Sequence, residues 1–253
     1  MPYAIVVLIK QVPDMNAVRV DRGSGKAILG GQRAISSFDE YAIEEALRLK
    51  EAHGGEVTVV CAGPSSVKDA VSRALAMGAD RGVILPFENV DDLDTLAVAD
   101  ILAAQLQGMS YDVVLTGQNS DDSATGHVGP QVAELLGIPQ VSSITKLEAN
   151  GNHLTLHRDT EEGQQVVDVD TPVLLMAMTG LNEPRYPSLK GIMAAKKKPV
   201  DQGAPARTDG ERRLSWSEPS APERTSGGTI VQDAAPADAA KQLVTWLKER
   251  KLL

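Results

Sequence analysis

The sequence is poor in aromatic residues and in cysteine. Its 253 residues include only two Phe, two Trp, four Tyr and one Cys. Because aromatic side chains are scarce, the core has to consist of Val, Leu, Ile, Ala and Met, which is typical of a parallel sheet covered by helices. The lone Cys61 excludes an internal disulfide and lies in an apolar stretch, so we expect a buried thiol in a reducing, cytoplasmic setting.

Basic charge and long apolar runs are also missing. The chain has 25 Lys and Arg against 34 Asp and Glu, a formal net charge of −9. Nucleic acid is therefore not expected as a general partner, because binding a phosphate backbone needs a basic face. The apolar run at residues 3–9 is too short to span a bilayer and does not resemble a signal peptide, so we do not expect membrane embedding.

Several motifs of known chemistry do not occur. The sequence has neither the Gly-Lys-Ser/Thr of a Walker loop nor the G-x-G-x-x-G order of a hydride-transfer dinucleotide fold. The four histidines show no metal-ligand spacing, and no Ser-His-Asp constellation can be argued. We interpret paired carboxylates such as Glu44 and Glu45 as the solvated face of a helix. The expectation is a protein without a metal and without a catalytic acid, base or nucleophile.

Strand-like and helix-like segments alternate over the first 140 residues, and Ser36 is placed to cap the first helix. This rhythm predicts an α/β fold, a mostly parallel Rossmann-like sheet with right-handed crossovers and helices on both faces. Buried strands are predicted at 3–9, 56–62, 82–85 and 112–116, and helices at 36–50, 67–77, 93–107 and 130–136.

The second half of the chain follows a different pattern. Asn150-Gly151 between two half-apolar runs predicts a hairpin, and two further strands follow at 164–170 and 173–178, so an antiparallel section extends the sheet. Past Lys198 the composition shifts to Pro, Ala, Ser, Gly and charge, with lone apolar residues such as Trp216. We therefore divide the chain into an α/β domain at 1–198 and an extended arm at 199–253, which ends in an amphipathic helix suited to docking.

The loop at 116–130 carries the strongest local signal for a binding site. Glycines let a backbone approach a ligand closely, Ser and Thr supply hydroxyl donors, and the helix that follows favours a phosphate at its N-terminus. Three other strand ends, at 8–10, 36–39 and 61–64, are expected to converge beside this loop because ligands bind at the carboxyl ends of parallel strands. Anion or nucleotide binding and an ordinary βα loop both remain open at this point.

The segment at 180–198 is a long loop with Pro184 and Pro187, and it ends in three lysines. The prolines are expected to prevent this segment from continuing as a strand or beginning as a helix. A long loop with apolar residues between prolines and glycines is typical of a surface that serves something outside the domain, and a plain connection is the alternative.

Four motifs resemble the beta subunit of electron transfer flavoprotein. They are Ser-x-Phe-Asp-Glu-x-Ala-x-Glu-Glu-Ala-Leu-Arg-Leu-Lys at 36–50, Ala-Met-Gly-Ala-Asp-Arg-Gly at 76–82, Leu-Asn-Glu-Pro-Arg-Tyr-x-x-Leu at 181–189 and Ile-Met-x-Ala-Lys-Lys-Lys at 192–198. The similarity covers about residues 3–200. Met15 stands where some members have tyrosine, and Met176 where the family usually has a small residue.

The resemblance implies a heterodimer in which this chain binds a structural AMP and an alpha subunit carries FAD. Such a heterodimer accepts electrons from acyl-CoA-type dehydrogenases and passes them to a quinone oxidoreductase. Phe38 and Arg158 match positions near the alpha-subunit flavin. The AMP pocket carried over by position comprises Leu8, Ser36, Ser37, Phe38, Asp39, Ala62, Gly117, Gln118, Asp121, Asp122, Ser123, Ala124, Thr125, Gly126, His127 and Val128. Recognition of dehydrogenases is carried over to Tyr186, Leu189, Ile192, Met193, Lys196, Lys197 and Lys198.

Two further interpretations of the sequence remain. The electron-bifurcating branch of the family holds a second FAD in place of AMP, and the motifs at 10–14 and 125–130 resemble that branch, whereas 36–40 resembles the AMP-binding branch. A stand-alone nucleotide-binding protein of the universal-stress type has a similar sheet, but it is expected to end near residue 145. A hydrolase of related fold would need catalytic groups that the sequence does not offer.

Overall fold

The strands and helices that the sequence pattern predicts are present in the predicted order, together with further short elements. The computed structural model of the chain describes residues 2–203, 213–215, 217, 220–221, 228 and 230–253. The strands are β1 (Tyr3–Leu8), β2 (Gln11–Pro13), β3 (Arg19–Val20), β4 (Ala27–Ile28), β5 (Arg33–Ile35), β6 (Gly55–Gly63), β7 (Arg81–Pro86), β8 (Val113–Gly117), β9 (Gln140–Asn150), β10 (His153–Thr160), β11 (Gly163–Asp170), β12 (Val173–Ala177) and β13 (Val200–Gln202). The helices are α1 (Ser37–His53), α2 (Lys68–Met77), α3 (Thr95–Gln107), α4 (Val128–Leu136), α5 (Leu189–Ala195) and α6 (Pro236–Glu249).

One sheet of nine strands forms the centre of the fold, in the order β11-β10-β9-β12-β8-β1-β6-β7-β13. The strands from β9 to β13 in this order are parallel, and β10 and β11 extend the sheet in antiparallel pairing. Two small antiparallel ribbons, β2 with β5 and β3 with β4, lie between β1 and α1 in the chain. The predicted α/β class, the mostly parallel sheet and the hairpin at Asn150-Gly151 are confirmed.

Helices cover both faces of the sheet, and the core is aliphatic on each. Ile5 and Val7 of β1 belong to a core shared with α1 and α2, whereas Val6 and Leu8 belong to a core shared with α3 and α4. The alternation arises because successive side chains of a strand point to opposite faces. Cys61 is buried in the first core, where burial raises the pKa of its thiol to about 12.

Both β13 and α5 lie in parts of the chain where the pattern predicts neither a strand nor a helix. β13 pairs in parallel with β7, so the sheet continues past Lys198. α5 begins just after Pro187, with Ser188 Oγ accepting from Gly191 N–H at 3.0 Å. The expectation that the prolines keep this segment from starting a helix is wrong, because a proline restricts its own position and the preceding residue but not the chain that follows.

The predicted C-terminal helix is present as α6, and its apolar side chains are not buried. Leu243 and Val244 are exposed in the described structure, as are Ile230 and Val231 before them. Trp216, which the sequence pattern places in the extended arm, lies outside the described residues.

Candidate functional site

A cavity of about 520 Å³ opens at the carboxyl ends of the parallel strands. Its walls come from the ends of β1, β6 and β8, from the loop that follows β8, and from the first turns of α3 and α4. Parallel sheets bind ligands at this edge, and the volume is in the range of small-molecule sites. All four stretches singled out in the sequence contribute to this wall. The stretches at 8–10, 61–64 and 116–130 each contribute several residues, and the stretch at 36–39 contributes Asp39.

The cavity receives most, but not all, of the nucleotide-site residues expected from the sequence. Ser36, Ser37, Phe38, Asp121 and Ala124 do not line it, although they lie in the two stretches that form its rim. The residues that do line it are Leu8, Asp39, Ala62, Gly117, Gln118, Asp122, Ser123, Thr125, Gly126, His127 and Val128.

The start of α1 is capped by the loop after β8. Ser37 donates its backbone N–H to Asp121 Oδ2 at 2.7 Å and its hydroxyl to Asp121 Oδ1 at 2.6 Å. Ser36 makes no capping bond to the helix, and its hydroxyl instead accepts from Asp121 N–H at 3.3 Å. Ser36 is the N-cap residue of α1 as expected, but its side chain does not cap the helix, because a carboxylate distant in sequence satisfies the free helix N–H. This exchange fixes the loop to the helix.

Asp39 joins the ends of two neighbouring strands beneath the cavity. Its Oδ2 accepts from Lys10 N–H at 2.7 Å, and its Oδ1 accepts from Gly117 N–H at 2.9 Å. The side chain is buried, and burial raises the pKa of Asp39 to about 7 against the effect of these two hydrogen bonds. A Cβ on Gly117 would lie 2.6 Å from Phe38 Cβ and 2.7 Å from Asp39 Oδ1, so only glycine lets β8 approach α1 this closely.

An ion pair holds the loop over the end of β1. Lys10 Nζ lies 2.7 Å from Asp122 Oδ2. Burial raises the pKa of Asp122, but the hydrogen bond and charge of Lys10 outweigh this effect and hold the pKa below its usual value. The loop also contains Gly126, which adopts a positive φ of 63°. Ion pair and turn together give the loop one defined shape.

Gln118 connects the loop to the antiparallel part of the sheet. Its Oε1 accepts from the backbone N–H of Ser143, a β9 residue with a φ of 59°, at 2.6 Å. Arg158 lies at the adjoining irregularity of the β9 and β10 pair and donates Nη2–H to Ser142 Oγ at 3.0 Å. Among the described residues, no partner faces the buried Nε of Arg158. Arg158 therefore retains an unused donor beside the loop.

Sequence reasoning missed a second set of cavity residues. Asp94 is the N-cap of α3, with its Oδ1 accepting from Ala97 N–H at 2.9 Å. The capping pattern of Asp94-Thr95 before an apolar run was a usable signal, because the N-terminus of a helix that follows a parallel strand lies at the same edge as the other strand ends. Met15 and Met176, which the sequence marks only as departures from the family pattern, also line the cavity. No comparable signal marks other members of the set such as Val18, Leu29, Val98 and Leu102.

The segment at 180–198 is fixed to α1 by ion pairs and hydrogen bonds to the buried carboxylates Glu44 and Glu45 and to the exposed Glu51. Arg185 donates to Glu44 at 2.8 and 3.0 Å and to Glu51 at 2.5 and 3.1 Å. Asn182 Nδ2–H donates to Glu45 Oε2 at 2.9 Å. The interpretation of Glu44 and Glu45 as a solvated face is wrong, since they are 3% and 7% exposed. Burial raises the pKa of Glu44, but the Arg185 hydrogen bonds outweigh it and lower that pKa below its usual value, whereas burial raises the pKa of Glu45.

Four apolar side chains project from this fixed segment. Exposed fractions are 90% for Tyr186, 83% for Leu189, 45% for Ile192 and 65% for Met193. A Cβ on Gly191 would lie 2.4 Å from Ala76 O, so α5 packs closely on the end of α2. We call these four side chains the docking surface.

The three lysines after α5 point in different directions. Lys196 and Lys197 are exposed, but Lys198 is half-buried and donates to Leu75 O at 2.9 Å and Ala79 O at 2.6 Å. Burial lowers the pKa of Lys198. Its ammonium satisfies carbonyls at the end of α2, where a cation is favoured, and does not extend the docking surface.

In the part of the chain that the structure describes, none of the helices has the length and apolarity of a membrane span. The same residues contain no group of three or more His, Cys, Asp and Glu side chains arranged to hold a metal ion.

Known proteins with similar sequences share one name. Residues 28–207 match the profile of the electron transfer flavoprotein domain. The electron transfer flavoprotein subunit beta of Bacillus subtilis (strain 168) is 40% identical over 225 residues, 87% of either chain. The subunit beta of Clostridium acetobutylicum is 40% identical over 253 residues, 97% of this chain and 98% of its own. That of Syntrophomonas wolfei is 38% identical over 250 residues, 98% and 97% of the two chains.

Proposed function

This chain belongs to the electron transfer flavoprotein family, in its beta-subunit branch, and we propose that it binds a structural AMP and pairs with an alpha subunit that carries FAD. The heterodimer accepts electrons from acyl-CoA-type dehydrogenases in the cytoplasm and delivers them to a quinone oxidoreductase. In this role the chain is part of an electron carrier, and its own site holds and orients a ligand.

The cavity at the strand ends is the observation that carries the AMP proposal. A phosphate fits the first turn of α4, where His127, Val128 and the glycine-containing loop line the cavity at the N-terminus of the helix. An adenosine fits the apolar wall, to which Leu8 and Ala62 contribute. The loop is already fixed by Asp121 and Asp122, so little order has to be gained on binding.

Arg158 supports the proposed neighbourhood of the alpha-subunit flavin. Arg158 is only partly buried, so its positive charge can face an acceptor brought by another chain or by its cofactor. Gln118 links the nucleotide loop to the strand residues beside Arg158. A ligand in the cavity would thereby help to hold Arg158 in place. Phe38, the other residue proposed to lie near the flavin, is in the first turn of α1 and next to Gly117.

The docking surface is the proposed contact with dehydrogenases. Its four apolar side chains are exposed on α5 and on the residues before it, which the Arg185–Glu44 ion pair and close packing against α2 hold in place. Fixed apolar side chains of this kind act as hot spots because little entropy is lost on binding. Lys196 and Lys197 supply the adjacent positive charge, which steers association with an acidic rim.

A second FAD in place of AMP is the alternative, and the lining of the cavity favours it on one point. Besides the strand ends and the loop, the cavity is lined by the apolar side chains of Met15, Val18, Ala27 and Leu29. This part of the lining offers apolar contacts to a group larger than a nucleoside monophosphate. An electron-bifurcating protein would use these contacts for the second flavin.

Identification of the released nucleotides tests both functions. The chain is co-expressed with its alpha subunit, and the purified complex is denatured and analysed by chromatography. One FAD and one AMP per heterodimer are expected, whereas two FAD would establish the bifurcating alternative. Release of one FAD and no second nucleotide would contradict the assignment of the cavity.

A further inference from the structure

Strand β9 is irregular where it passes the end of β12. Its residues Ser142 and Ser143 stand opposite the single β12 residue Met176. Against β10, the strand carries one extra residue, Thr145, between two paired positions. We call residues 142–145 the β9 bulge. Bulges bend a strand and redirect the side chains around them, and they are frequent next to functional sites.

The β9 bulge contains a backbone conformation that is uncommon for a residue with a side chain. Ser143 has a φ of 59°, in the left-handed region that favours glycine. Its N–H donates to Gln118 Oε1 at 2.6 Å, and its hydroxyl donates to the same oxygen at 3.4 Å. A conformation of this kind persists where the surrounding groups determine it. One side chain of the loop after β8 therefore supports the bulge at its least favourable residue.

Gln118 lies between the β9 bulge and the turn of this loop. A backbone N–H can only donate, so the amide oxygen of Gln118 has to face Ser143 and the amide nitrogen has to face another way. The nitrogen lies beside Gly126, since a Cβ on Gly126 would be 3.9 Å from Gln118 Nε2. Gln118 and Gly126 both line the cavity. A ligand bound against the loop turn is therefore within reach of the amide that holds the bulge.

The other end of the β9 bulge holds Arg158. The side chain of Arg158 donates Nη2–H to Ser142 Oγ at 3.0 Å, and its backbone pairs with Ile144 at the point where the register shifts. Neither Arg158 nor Ser142 belongs to the lining of the cavity. In the described contacts, the bulge is thus what lies between the guanidinium and a ligand in the cavity.

We propose that Gln118 is a positioning residue that holds the β9 bulge and, through it, the guanidinium of Arg158, so that occupancy of the cavity is coupled to the position of this charge. The proposal rests on the AMP site and on the place of Arg158 near the alpha-subunit flavin, both proposed above. A fixed positive charge near a flavin favours its reduced, negatively charged forms. We therefore expect Gln118 and bound AMP to raise the midpoint potential of the FAD through the same contacts.

Two measurements on the full heterodimer test this role of Gln118. Amide hydrogen exchange reports on the N–H of Ser143, and a redox titration gives the midpoint potential of the FAD. Gln118→Ala should speed exchange at Ser143 about tenfold and should lower the potential, in the same direction as Arg158→Gln. Ser142→Ala leaves the lining of the cavity intact and should lower the potential without loss of AMP affinity. Gln140→Ala, at an exposed position of β9 outside the bulge, should match the wild type in both measurements.

Removal of AMP separates positioning by Gln118 from a purely structural role. Both complexes are measured at saturating AMP and again after the AMP has been dialysed away. In the wild type, removal should speed exchange at Ser143 and lower the FAD potential. In Gln118→Ala, where the connection is already broken, removal should change neither quantity. A glutamine that only stabilised the fold would leave the two effects additive.

Each way for the proposal to fail has its own result. If the wild-type heterodimer neither contains nor takes up AMP, the assignment of the AMP site fails and the coupling fails with it. If AMP binds but its removal changes neither exchange at Ser143 nor the potential, only the coupling is refuted. If Gln118→Ala speeds this exchange at an unchanged potential, Gln118 holds the bulge without positioning Arg158, and the proposal is wrong. An unchanged potential in Arg158→Gln would refute the place of Arg158 beside the flavin, and the proposal with it.

Discussion

Replacing Leu189 by alanine removes the most exposed aliphatic side chain of the docking surface. Leu189 is 83% exposed in the chain alone, so nearly all of its apolar area is available for burial against a dehydrogenase. Full burial of a leucine side chain stabilises a complex by about 1.5–3 kcal/mol. We therefore expect Leu189→Ala to cost about 2 kcal/mol of binding free energy, roughly a 30-fold loss of affinity.

Steady-state electron transfer from an acyl-CoA-type dehydrogenase to the heterodimer measures this loss. The KM for the heterodimer should rise roughly 30-fold, while kcat at saturation and the bound FAD stay unchanged. The free energy of unfolding should change by less than about 0.5 kcal/mol, because the side chain has few contacts in the free chain.

Leu135→Ala provides the matched control for this experiment. Leu135 is an exposed leucine, 39% accessible, on α4 in the helical layer on the opposite face of the sheet. The control variant should keep the wild-type KM. An unchanged KM in Leu189→Ala itself would refute the assignment of the docking surface.

Three other variants test how the site and the docking surface are held. Arg185→Ala leaves the buried Glu44 with weaker pairing and should lower the free energy of unfolding by roughly 2–3 kcal/mol in urea titrations. Arg185→Lys should restore only part of it, since lysine lacks the paired donors, and full stability in Arg185→Ala would disprove the anchoring role. Gly117→Ala drives a methyl into Phe38 and should yield a complex depleted of the nucleotide, whereas Gly31→Ala, with open space around it, should retain it. Asp39 holds its proton to about pH 7 when folded and to about 3.8 when unfolded, so its stabilising contribution is complete below pH 3.8 and is lost as the pH rises through 7. Relative to Asp39→Asn, the wild-type free energy of unfolding should fall by about 4 kcal/mol between pH 4 and 8, and parallel pH profiles would contradict this.

The fold was accessible from the sequence because its signals are local. A buried parallel strand is a continuous apolar run, and each helix starts and ends at turn residues, so the alternation through α4 could be read without any tertiary information. The short strands β2, β5 and β13 were not predicted because three residues are too few to show a periodicity. The helix α5 was not predicted because Pro184 and Pro187 argue against a helix, whereas the capping residue Ser188 that starts it is a weaker signal.

The candidate site could be predicted in outline, and its connections could not. The glycine-containing loop after β8 is visible in the sequence, but its hold on α1 depends on Asp121, which is 84 residues from Ser37. In the sequence, Glu44 and Glu45 resemble an ordinary charged helix face. In the fold, Arg185 donates hydrogen bonds to Glu44 and Asn182 donates one to Glu45. The sequence shows that a carboxylate is present but not whether water or a guanidinium hydrogen-bonds to it. Only the tertiary structure distinguishes the two cases.

The α/β class, the place of the glycine-containing loop after β8 and, through the motifs at 36–50 and 181–198, the family could all be inferred from the sequence alone. Those features follow from apolar periodicity, from glycine and from short motifs, which are properties of neighbouring residues. Tertiary contacts alone show that Asp39 joins two strand ends and that Lys198 donates to two carbonyls at the end of α2. These depend on contacts between residues distant in the chain, where burial and hydrogen-bond geometry determine the role of each side chain.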